Sequence, residues 1–418
     1  MKKVEKLFMV IILMAFVLTS CDKNNNPIIP DPDPTSGTHP VLWSYDIGVG
    51  GISNITPAVD ENNNIYFSMV SEDWTSVFTI ALDKNGNELW KNEVTGVATN
   101  KVTYAGGKVF VVTDDPVAVH CIEASSGNTN WTKDMTAEYD FEWMPMVAIN
   151  NNKVYLSTGQ FFYGYLLALD FDGNELWIKQ GPTMGGSLSL SVFGNELYFN
   201  DGEILFRYDD NGNSCDSVWA YELSTYKQSR GINGYLDMFN VAFGSDGNLY
   251  VRSDTKIEII SRSGQSVNEF DLGESFTNSY SSIILSPDNE VVVGNGNLVK
   301  YNHSGILEWE TDINDGWLVN PTFTNAPVLS SNGNFYDGQL FGLYSVKSNG
   351  TLNWKENAET EAGIEYGNLH PPVLTHEGNI ISVSSEQKMV RCFEGDGNGL
   401  ATSGWPKVYG DYGNTSAR

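Results

Sequence analysis

The chain has 418 residues, with 52 aspartates and glutamates against 24 lysines and arginines, a formal net charge of −28 at pH 7. Such an acidic chain repels the phosphates of nucleic acids and the headgroups of anionic lipids, so we expect no nucleic-acid partner. Beyond residue 21 only Cys121, Cys215 and Cys392 remain, with no short spacing between them, which argues against a disulfide framework and against a zinc site. We expect ordinary thiols, with Cys215 in a loop.

The N-terminal region has the organisation of an export signal. Lys2 and Lys3 precede an uncharged apolar run over residues 7–18, which is too short to span a bilayer comfortably. The run ends in Leu-Thr-Ser-Cys at residues 18–21, which resembles a lipobox, where the cysteine becomes lipidated. We therefore predict that residues 1–20 are a lipoprotein signal peptide and that Cys21 carries the lipid. A plain secretory signal with an incidental cysteine is the alternative.

Residues 21–40 contain five prolines and few apolar side chains. Such a composition cannot bury enough surface to offset the entropy of ordering the chain. We predict a disordered tether over residues 21–40 and a folded domain over residues 41–418. In this arrangement the lipid on Cys21 alone holds the domain at the membrane.

A repeat of about 45 residues runs through the folded domain and is marked by an aromatic residue. One double-length gap between tryptophans has phenylalanine near its middle. Because the same position recurs whatever its surroundings, these side chains are expected to dock neighbouring repeats together. The docking residues are Trp43, Trp90, Trp131, Trp177, Trp219, Phe270, Trp309 and Trp354.

A second marker has the same period. Short alternating strands such as KVFVVTD and KVYLSTG occur eight times, and in five copies a glycine lies four residues before the tryptophan, as in Gly86 and Trp90. Asn-Gly and Asp-Gly between alternating apolar runs are strong hairpin signals. Each copy is therefore predicted to be a four-stranded antiparallel meander, with strands A to D in chain order.

Four-stranded sheets of this size bury their apolar faces against one another most completely by radial stacking. The first strand, over residues 41–45, has the character of a D strand without A, B or C before it, and the chain ends soon after the eighth C strand. We predict an all-β, eight-bladed β-propeller in which the N-terminal strand completes the last blade.

The segments IALDKNGNELW and LALDFDGNELW resemble the tryptophan-docking motif of PQQ-like repeats. Trp405-Pro406, Gly410-Asp411 and Asn414-Thr415 resemble a signature found at the ends of such proteins. The resemblance covers residues 41–418 and implies the propeller fold. The family includes quinoprotein dehydrogenases and also non-catalytic lipoproteins similar to the outer-membrane assembly scaffold. A shared fold does not decide between these functions.

Enzymes of the family typically carry two adjacent cysteines beside the quinone, together with calcium ligands. This chain has no adjacent cysteine pair, so we expect neither PQQ nor calcium, and the sequence favours a role without catalysis. The acidic loops at 170–174 and 209–213 fit hairpin turns better than calcium sites, because the twelve-residue loop ending in glutamate is missing. The scattered histidines, among them His120, His303, His370 and His376, suggest no metal site.

The connections predicted on the two sides of the disc differ. The A–B and C–D turns are short and polar, whereas the B–C loops and D–A connections carry large aromatic residues together with carboxylates such as Glu72, Asp73 and Glu138. Exposed rings surrounded by charge are typical of a recognition surface. Alternatively, some of these rings cap blade ends or fill the central channel. The candidate binding residues are Trp74, Trp143, Phe161, Phe162, Tyr163 and Trp317.

The leading hypothesis is a monomeric, non-enzymatic, lipid-anchored propeller of the bacterial cell envelope that binds a protein partner through this aromatic face. The outer membrane is the expected location, with the side on which the propeller lies left open. A carbohydrate-binding surface lipoprotein is the first alternative, because aromatic platforms stack on sugars. A degenerate PQQ-dependent dehydrogenase is the second.

Overall fold

A computed structural model of the protein describes residues 39–48, 56–97, 101–160, 163–181, 189–201, 203–224, 240–253, 255–273, 282–294, 297–313, 326–339, 342–357, 359–360, 363–364, 370–384 and 387–418. These residues form eight four-stranded antiparallel sheets and one additional two-stranded ladder. The predicted eight-bladed, all-β propeller is confirmed.

In blades 1 to 7 the strands pair in chain order, A to D. Blade 1 contains β2 (Ala58–Val59), β3 (Ile65–Val70), β4 (Ser76–Leu82) and β5 (Glu88–Thr95). Blade 2 contains β6 (Thr103–Ala105), β7 (Lys108–Thr113), β8 (Ala118–Glu123) and β9 (Thr129–Asp134). Blade 3 contains β10 (Trp143–Asn150), β11 (Lys153–Gln160), β12 (Tyr163–Asp170) and β13 (Glu175–Gln180). Blade 4 contains β14 (Ser189–Phe193), β15 (Glu196–Asn200), β16 (Ile204–Asp210) and β17 (Cys215–Glu222).

The second half repeats the pattern, and each of its A strands has two residues, as in blade 1. Blade 5 contains β18 (Ala242–Phe243), β19 (Leu249–Ser253), β20 (Lys256–Ile260) and β21 (Ser266–Asp271). Blade 6 contains β22 (Ile284–Leu285), β23 (Val291–Gly294), β24 (Asn297–Tyr301) and β25 (Leu307–Asp312). Blade 7 contains β26 (Val328–Leu329), β27 (Phe335–Gln339), β28 (Gly342–Val346) and β29 (Leu352–Asn357), followed by the ladder of β30 (Glu359–Thr360) and β31 (Gly363–Ile364). Blade 8 contains β32 (Val373–Leu374), β33 (Ile380–Ser384), β34 (Met389–Phe393) and the N-terminal β1 (Val41–Asp46).

The ring is closed by β1, which pairs antiparallel with β34, so that Trp43 lies opposite Cys392. At the start of β1, the Glu394 amide donates a hydrogen bond to the Pro40 carbonyl, 2.9 Å away. The His39 ring stacks on Trp354 of blade 7 with 3.9 Å between ring centroids. The predicted closure by the N-terminal strand is therefore confirmed, and His39 covers the last docking tryptophan.

The D-strand aromatic residues of most blades pack on the C–D turn of the next blade. A Cβ atom at Gly86 would lie 2.6 Å from the Trp43 ring, and one at Gly127 would lie 2.6 Å from the Trp90 ring, so the close approach requires glycine. The indole Nε1–H groups donate to backbone carbonyls of the same turns. The pairs are Trp43 to Lys84, Trp90 to Ala124, Trp131 to Phe171, Trp219 to Arg262 and Trp309 to Ser348.

Besides the junction of Trp354 with His39, two blade junctions depart from this arrangement. Trp177 donates its Nε1–H to the carboxylate of Asp210, at 2.9 Å, instead of to a carbonyl. Asp210 also accepts hydrogen bonds from Lys153 and Tyr155 of blade 3, so this carboxylate joins blades 3 and 4. Phe270 lacks a donor but still packs on Gly305, where a Cβ atom would lie 2.4 Å from the phenylalanine side chain.

Replacing Trp177 by alanine is expected to lower the free energy of unfolding by about 3–5 kcal/mol, because a buried indole is lost and Asp210 loses a hydrogen-bond donor. Urea unfolding measures the change. The control is Ile178→Thr on the same strand, where the side chain is exposed and roughly half a kcal/mol or less is expected. An unchanged unfolding midpoint in the Trp177 variant would show that this residue is not a structural docking residue.

One helix was not predicted. Helix α1 (Met135–Tyr139) lies between blades 2 and 3 and begins after Asp134, whose carboxylate accepts a hydrogen bond from the Ala137 amide. Met135 is buried, and its amide donates to the Val117 carbonyl, at 2.8 Å. The helix therefore holds the connection between these two blades against the B–C loop of blade 2.

Residues 399–418, here called the C-terminal segment, cross the centre of the propeller. Amides of the inner A strands donate to carbonyls of this segment in blade after blade, in the pairs Val59 to Tyr412, Tyr104 to Gly413, Ile149 to Thr415, Val192 to Ser416, Leu285 to Trp405 and Leu329 to Pro406. Arg418 donates to the Phe243 carbonyl of blade 5 at 3.0 Å, and the Tyr412 ring stacks on His376 of blade 8 at 3.8 Å. The segment thus contacts all eight blades.

Candidate functional site

The two sides of the disc differ in what they expose. The side that carries the A–B and C–D turns, here called the turn face, includes residues 60–64, 83–87 and 170–174, and the C-terminal segment lies at this end of the A strands. The opposite side, here called the loop face, carries the B–C loops and the D–A connections, including residues 71–75 and α1.

Polar side chains of the turn face are used within the turns. Asp83 accepts hydrogen bonds from the amides of Asn85 and Asn87, each at 2.8 Å. Asp170 accepts from Asn174 in the same way, and Asp210 of the second acidic loop accepts from the Gly212 amide and from Trp177. The loop at residues 170–174 therefore has the hydrogen bonding of an ordinary turn, as predicted, whereas Asp210 of the second loop combines a turn hydrogen bond with hydrogen bonds from blade 3.

On the loop face, blade 1 displays an exposed tryptophan. The Trp74 side chain is 52% exposed, and its backbone has φ +58°, a left-handed conformation that is rare and strained for a bulky residue. Asp73 stabilises the loop by accepting hydrogen bonds from the hydroxyls of Ser71 and Thr75, at 2.7 and 2.8 Å. These hydrogen bonds, that of Ser71 foremost, hold the pKa of Asp73 below its ordinary value.

A group of aromatic rings lies at blade 3. Tyr139 and Phe141 stack with 5.1 Å between centroids, and Phe141 meets Tyr165 at 4.9 Å. Tyr163 begins β12 two residues before Tyr165, and its side chain is 49% exposed. The Tyr139 hydroxyl donates a hydrogen bond to Glu175. Phe141 is buried, so it supports the more exposed rings around it.

Backbone hydrogen bonds connect these parts of the loop face across three blades. The Val97 amide at the end of blade 1 donates to the Asp114 carbonyl of the next B–C loop, at 2.9 Å. The link from Met135 to Val117 joins α1 to the same loop. The Glu142 amide then donates to Gly159 of blade 3, at 3.0 Å. The surface from Trp74 to Tyr163 is therefore built on one continuous backbone framework.

Carboxylates accompany the rings. Exposed acidic residues of this region are Glu72, Asp73, Asp115, Glu138, Asp140 and Glu142. Lys133 is a basic residue beside the rings, and it is paired with Glu138 at 2.6 Å while its ammonium lies 5.5 Å from the centre of the Tyr139 ring. Burial raises the pKa of Asp114 above its ordinary value. The described surface is thus aromatic and acidic, and it already holds one ammonium group of its own.

The predicted binding residues have different positions in this region. Trp74 and Tyr163 lie on the loop face and are exposed. Trp143 lies in β10, opposite Gly159, and not in a loop as expected, while its side chain is outside the described part of the chain. Phe161, Phe162 and Trp317 also lie outside the described residues. Cys21, the predicted lipidation site, is outside them as well.

Sequence reasoning did not nominate Tyr139, Phe141 or Tyr165. A signal was available, because Asp134 followed by Glu138 resembles the start of a helix with an acidic first turn. The short helix brings Tyr139 and Phe141 beside the hairpin of blade 3.

A histidine and three cysteines elsewhere in the described residues are buried. The His120 ring contacts the hydroxyls of Thr113 and Thr132, and burial lowers its pKa to about 4. Burial raises the pKa of Cys121 to about 11 and the pKa of Cys215 and of Cys392 to about 12, so these thiols are poor nucleophiles. Cys215 is the first residue of β17 and does not lie in a loop, which corrects the expectation.

Among the described residues, no group of three or more histidine, cysteine, aspartate or glutamate side chains is arranged to hold a metal ion. Within the same ranges, no helix has the length and apolar character needed to cross a membrane.

The sequence profile of the family described as "Outer membrane protein assembly factor BamB" matches residues 76–257. No curated protein matches the chain at a significant level. Among solved structures, that of Saccharomyces cerevisiae Sqt1 superposes with a TM-score of 0.62 at 9% identity, covering 86% of this chain and 99% of the other. A europium-containing methanol dehydrogenase has a TM-score of 0.57 at 13% identity, with 82% and 84% covered, and apo AztD from Citrobacter koseri has 0.50 at 12% identity, with 76% and 89% covered.

At such low identities these structures establish the fold and leave function open, since an enzyme is among them. The family profile runs from the C strand of blade 1 to the start of the C strand of blade 5 and overlaps the tryptophan-docking repeats described above. The chain is an eight-bladed β-propeller with PQQ-like repeats, and its residues 76–257 are similar to the family of the outer membrane protein assembly factor BamB.

Proposed function

We propose that this protein is a non-enzymatic scaffold of the bacterial cell envelope that binds a protein partner through the loop face of blades 1 to 3. The observation that carries the proposal is the difference between the two faces. The loop face exposes Trp74 and Tyr163 among carboxylates, whereas Asp83 and Asp170 of the turn face hydrogen-bond within their own turns. Exposed aromatic residues are enriched at the centres of protein interfaces.

The charge of the region favours a basic partner. Glu72 and Asp73 precede Trp74 and are exposed, Asp115 is exposed in the B–C loop of blade 2, and Glu138, Asp140 and Glu142 are exposed beside Tyr139 and Phe141 in the chain. The negative electrostatic field of these carboxylates attracts a positively charged partner surface and speeds the association of that partner at low salt. Lys133 is an example of how this surface binds a cation, because its ammonium lies between the carboxylate of Glu138 and the ring of Tyr139.

The similarity to BamB supports an outer-membrane-associated location, and the lipobox-like residues 18–21 support attachment through Cys21. The chain enters the propeller at His39, beside Trp354, at the turn-face end of β1. This end of β1 is on the opposite side of the disc from the loop face.

Site-specific photo-crosslinking tests the proposal. A photoreactive amino acid is placed at position 74 or 163 on the loop face and, as matched controls, at Asn85 or Asn151, which are exposed on the turn face. In intact cells, a discrete protein adduct is expected from positions 74 and 163 only. Adducts confined to positions 85 and 151 would show that the working face is the opposite one.

A saccharide is the second candidate ligand, because a single exposed indole such as Trp74 provides a stacking platform for sugars. If positions 74 and 163 give no protein adduct while envelope polysaccharides change the tryptophan fluorescence of the isolated domain, and Trp74→Ala removes that change, the saccharide function replaces the scaffold function.

A further inference from the structure

The C-terminal segment carries a group of buried charges that neither the propeller fold nor the proposed function uses. Lys407 is 2% exposed and donates a hydrogen bond to the Asn414 side-chain oxygen, at 2.5 Å. Asn414 in turn donates to the carbonyls of Thr56 and Val102, at 2.9 and 2.8 Å. The lysine is therefore connected, through one asparagine, to the residues that lead into the inner strands of blades 1 and 2.

A second lysine lies in the same place. Lys101, at the start of blade 2, is also 2% exposed, donates to the Ser416 hydroxyl and has its ammonium 4.1 Å from the centre of the Tyr409 ring. Asp411 is the carboxylate near both lysines, and it accepts hydrogen bonds from the amide and hydroxyl of Thr415. Two ammonium groups thus share one buried carboxylate.

No carboxylate among the described residues lies within 4 Å of the Lys407 ammonium. A buried charge without a close counter-ion is costly, because it has lost its hydration. Burial accordingly lowers the pKa of Lys407 from 10.5 to about 7. The positive charge of Lys101 acts in the same direction, and the negative charge of Asp411 acts against it. Burial also raises the pKa of Asp411.

We propose that protonation of Lys407 loosens the C-terminal segment from the inner strands of the propeller, so that the segment is a pH-responsive plug at the turn-face end of the central channel. When the segment opens, Lys407 reaches water and takes up a proton easily. When the segment is closed, the proton is disfavoured by burial and by Lys101. The plug is therefore more firmly closed at alkaline pH than at neutral pH.

Lys407 has its ordinary pKa of 10.5 when the segment is open and a pKa of about 7 when the segment is closed, and this difference determines how opening depends on pH. Above pH 10.5 the amine is neutral whether the segment is open or closed, and no penalty applies. Between 10.5 and about 7 only the open form binds the proton, so the open population rises up to about tenfold for each pH unit lost. Below about 7 both forms are protonated and the dependence on Lys407 ends. Asp411, whose pKa is raised by burial in the closed form, contributes with the opposite sign, because its protonation favours the closed segment.

Hydrogen exchange of the amides of residues 405–418 in the full chain tests the plug, once the intrinsic pH dependence of exchange is removed. In the unmodified protein, protection is expected to fall up to about a hundredfold from pH 9 to pH 7 and then to level off. Lys407→Met, which cannot be protonated, should keep protection constant over this range. Lys407→Arg, which stays charged, should have low protection throughout.

A matched control is Lys300→Met. This lysine is also buried, but its ammonium contacts the carboxylates of Glu290 and Glu308, at 2.7 and 3.1 Å. Its replacement should leave the pH profile of the C-terminal segment unchanged. If Lys407→Met does not fold, Asp411→Asn provides the test. Loss of the carboxylate removes a charge that favours protonated Lys407, so the pH profile of hydrogen-exchange protection should move to lower pH. Equal protection at pH 7 and pH 9 in the unmodified protein, or an undiminished slope in Lys407→Met, would overturn the proposal.

Discussion

Removal of residues 405–418 is expected to lower the free energy of unfolding by at least about 6 kcal/mol. Trp405 alone is worth about 3–5 kcal/mol, because it is 1% exposed and packs against Phe243 with 5.2 Å between ring centroids. The A-strand hydrogen bonds to this segment add about 0.5–1.5 kcal/mol each. Urea unfolding followed by circular dichroism measures the loss.

Two point variants test the same contribution in a chain of full length. Trp405→Ala should retain the fold and lose about 3–5 kcal/mol, which separates the contribution of the ring from that of the backbone. Thr402→Ala, an exposed position in the same segment, should change stability by less than about half a kcal/mol. A truncated chain with the stability of the full chain would mean that the blades hold the ring without the segment.

The architecture could be predicted because two periodic signals coincide in every blade. The alternating strands and the recurrent aromatic residue each mark one blade, and the unpaired strand at residues 41–46 completes the eighth. A period in the sequence indicates a structural unit that repeats along the chain, and the propeller consists almost entirely of such units, the blades.

The C-terminal segment could not be placed from the sequence, although Trp405-Pro406 and Asn414-Thr415 were recognised as a signature. Its contacts join residues far apart in the chain, such as Asn414 with Val102, and the segment itself contains no copy of the repeat. Its buried lysine was equally unpredictable, since charged residues are mostly exposed.

The candidate site was predictable in part. The division of turns and loops between the two faces followed from strand order, and it placed Trp74 and Tyr163 on one side. Helix α1 was missed because five residues are too few for a helical period to be visible. Trp143 was expected in a connection because β10 begins with an irregular pairing between Trp143 and Met146, which hides the alternation of a strand.

Replacing Tyr163 by serine or Trp74 by alanine is expected to weaken binding of the partner at least tenfold. Both side chains are about half exposed, so neither change should alter stability by more than about half a kcal/mol. Aromatic residues at the centre of an interface commonly contribute about 2 kcal/mol or more. Surface plasmon resonance with the crosslinked partner gives the affinities, and urea unfolding confirms that the variants remain folded.

The acidic surroundings of these rings predict how binding depends on salt. Increasing ionic strength shortens the Debye length to about 8 Å at 0.15 M, so association with a basic partner should slow while dissociation changes little. Glu138→Gln and Asp140→Asn, on the loop face, should reduce this salt dependence. Asn85→Lys and Asn151→Lys on the turn face should affect neither the association rate nor the affinity. If the turn-face variants weaken binding and Tyr163→Ser does not, the partner binds beside the C-terminal segment and the loop face has another role.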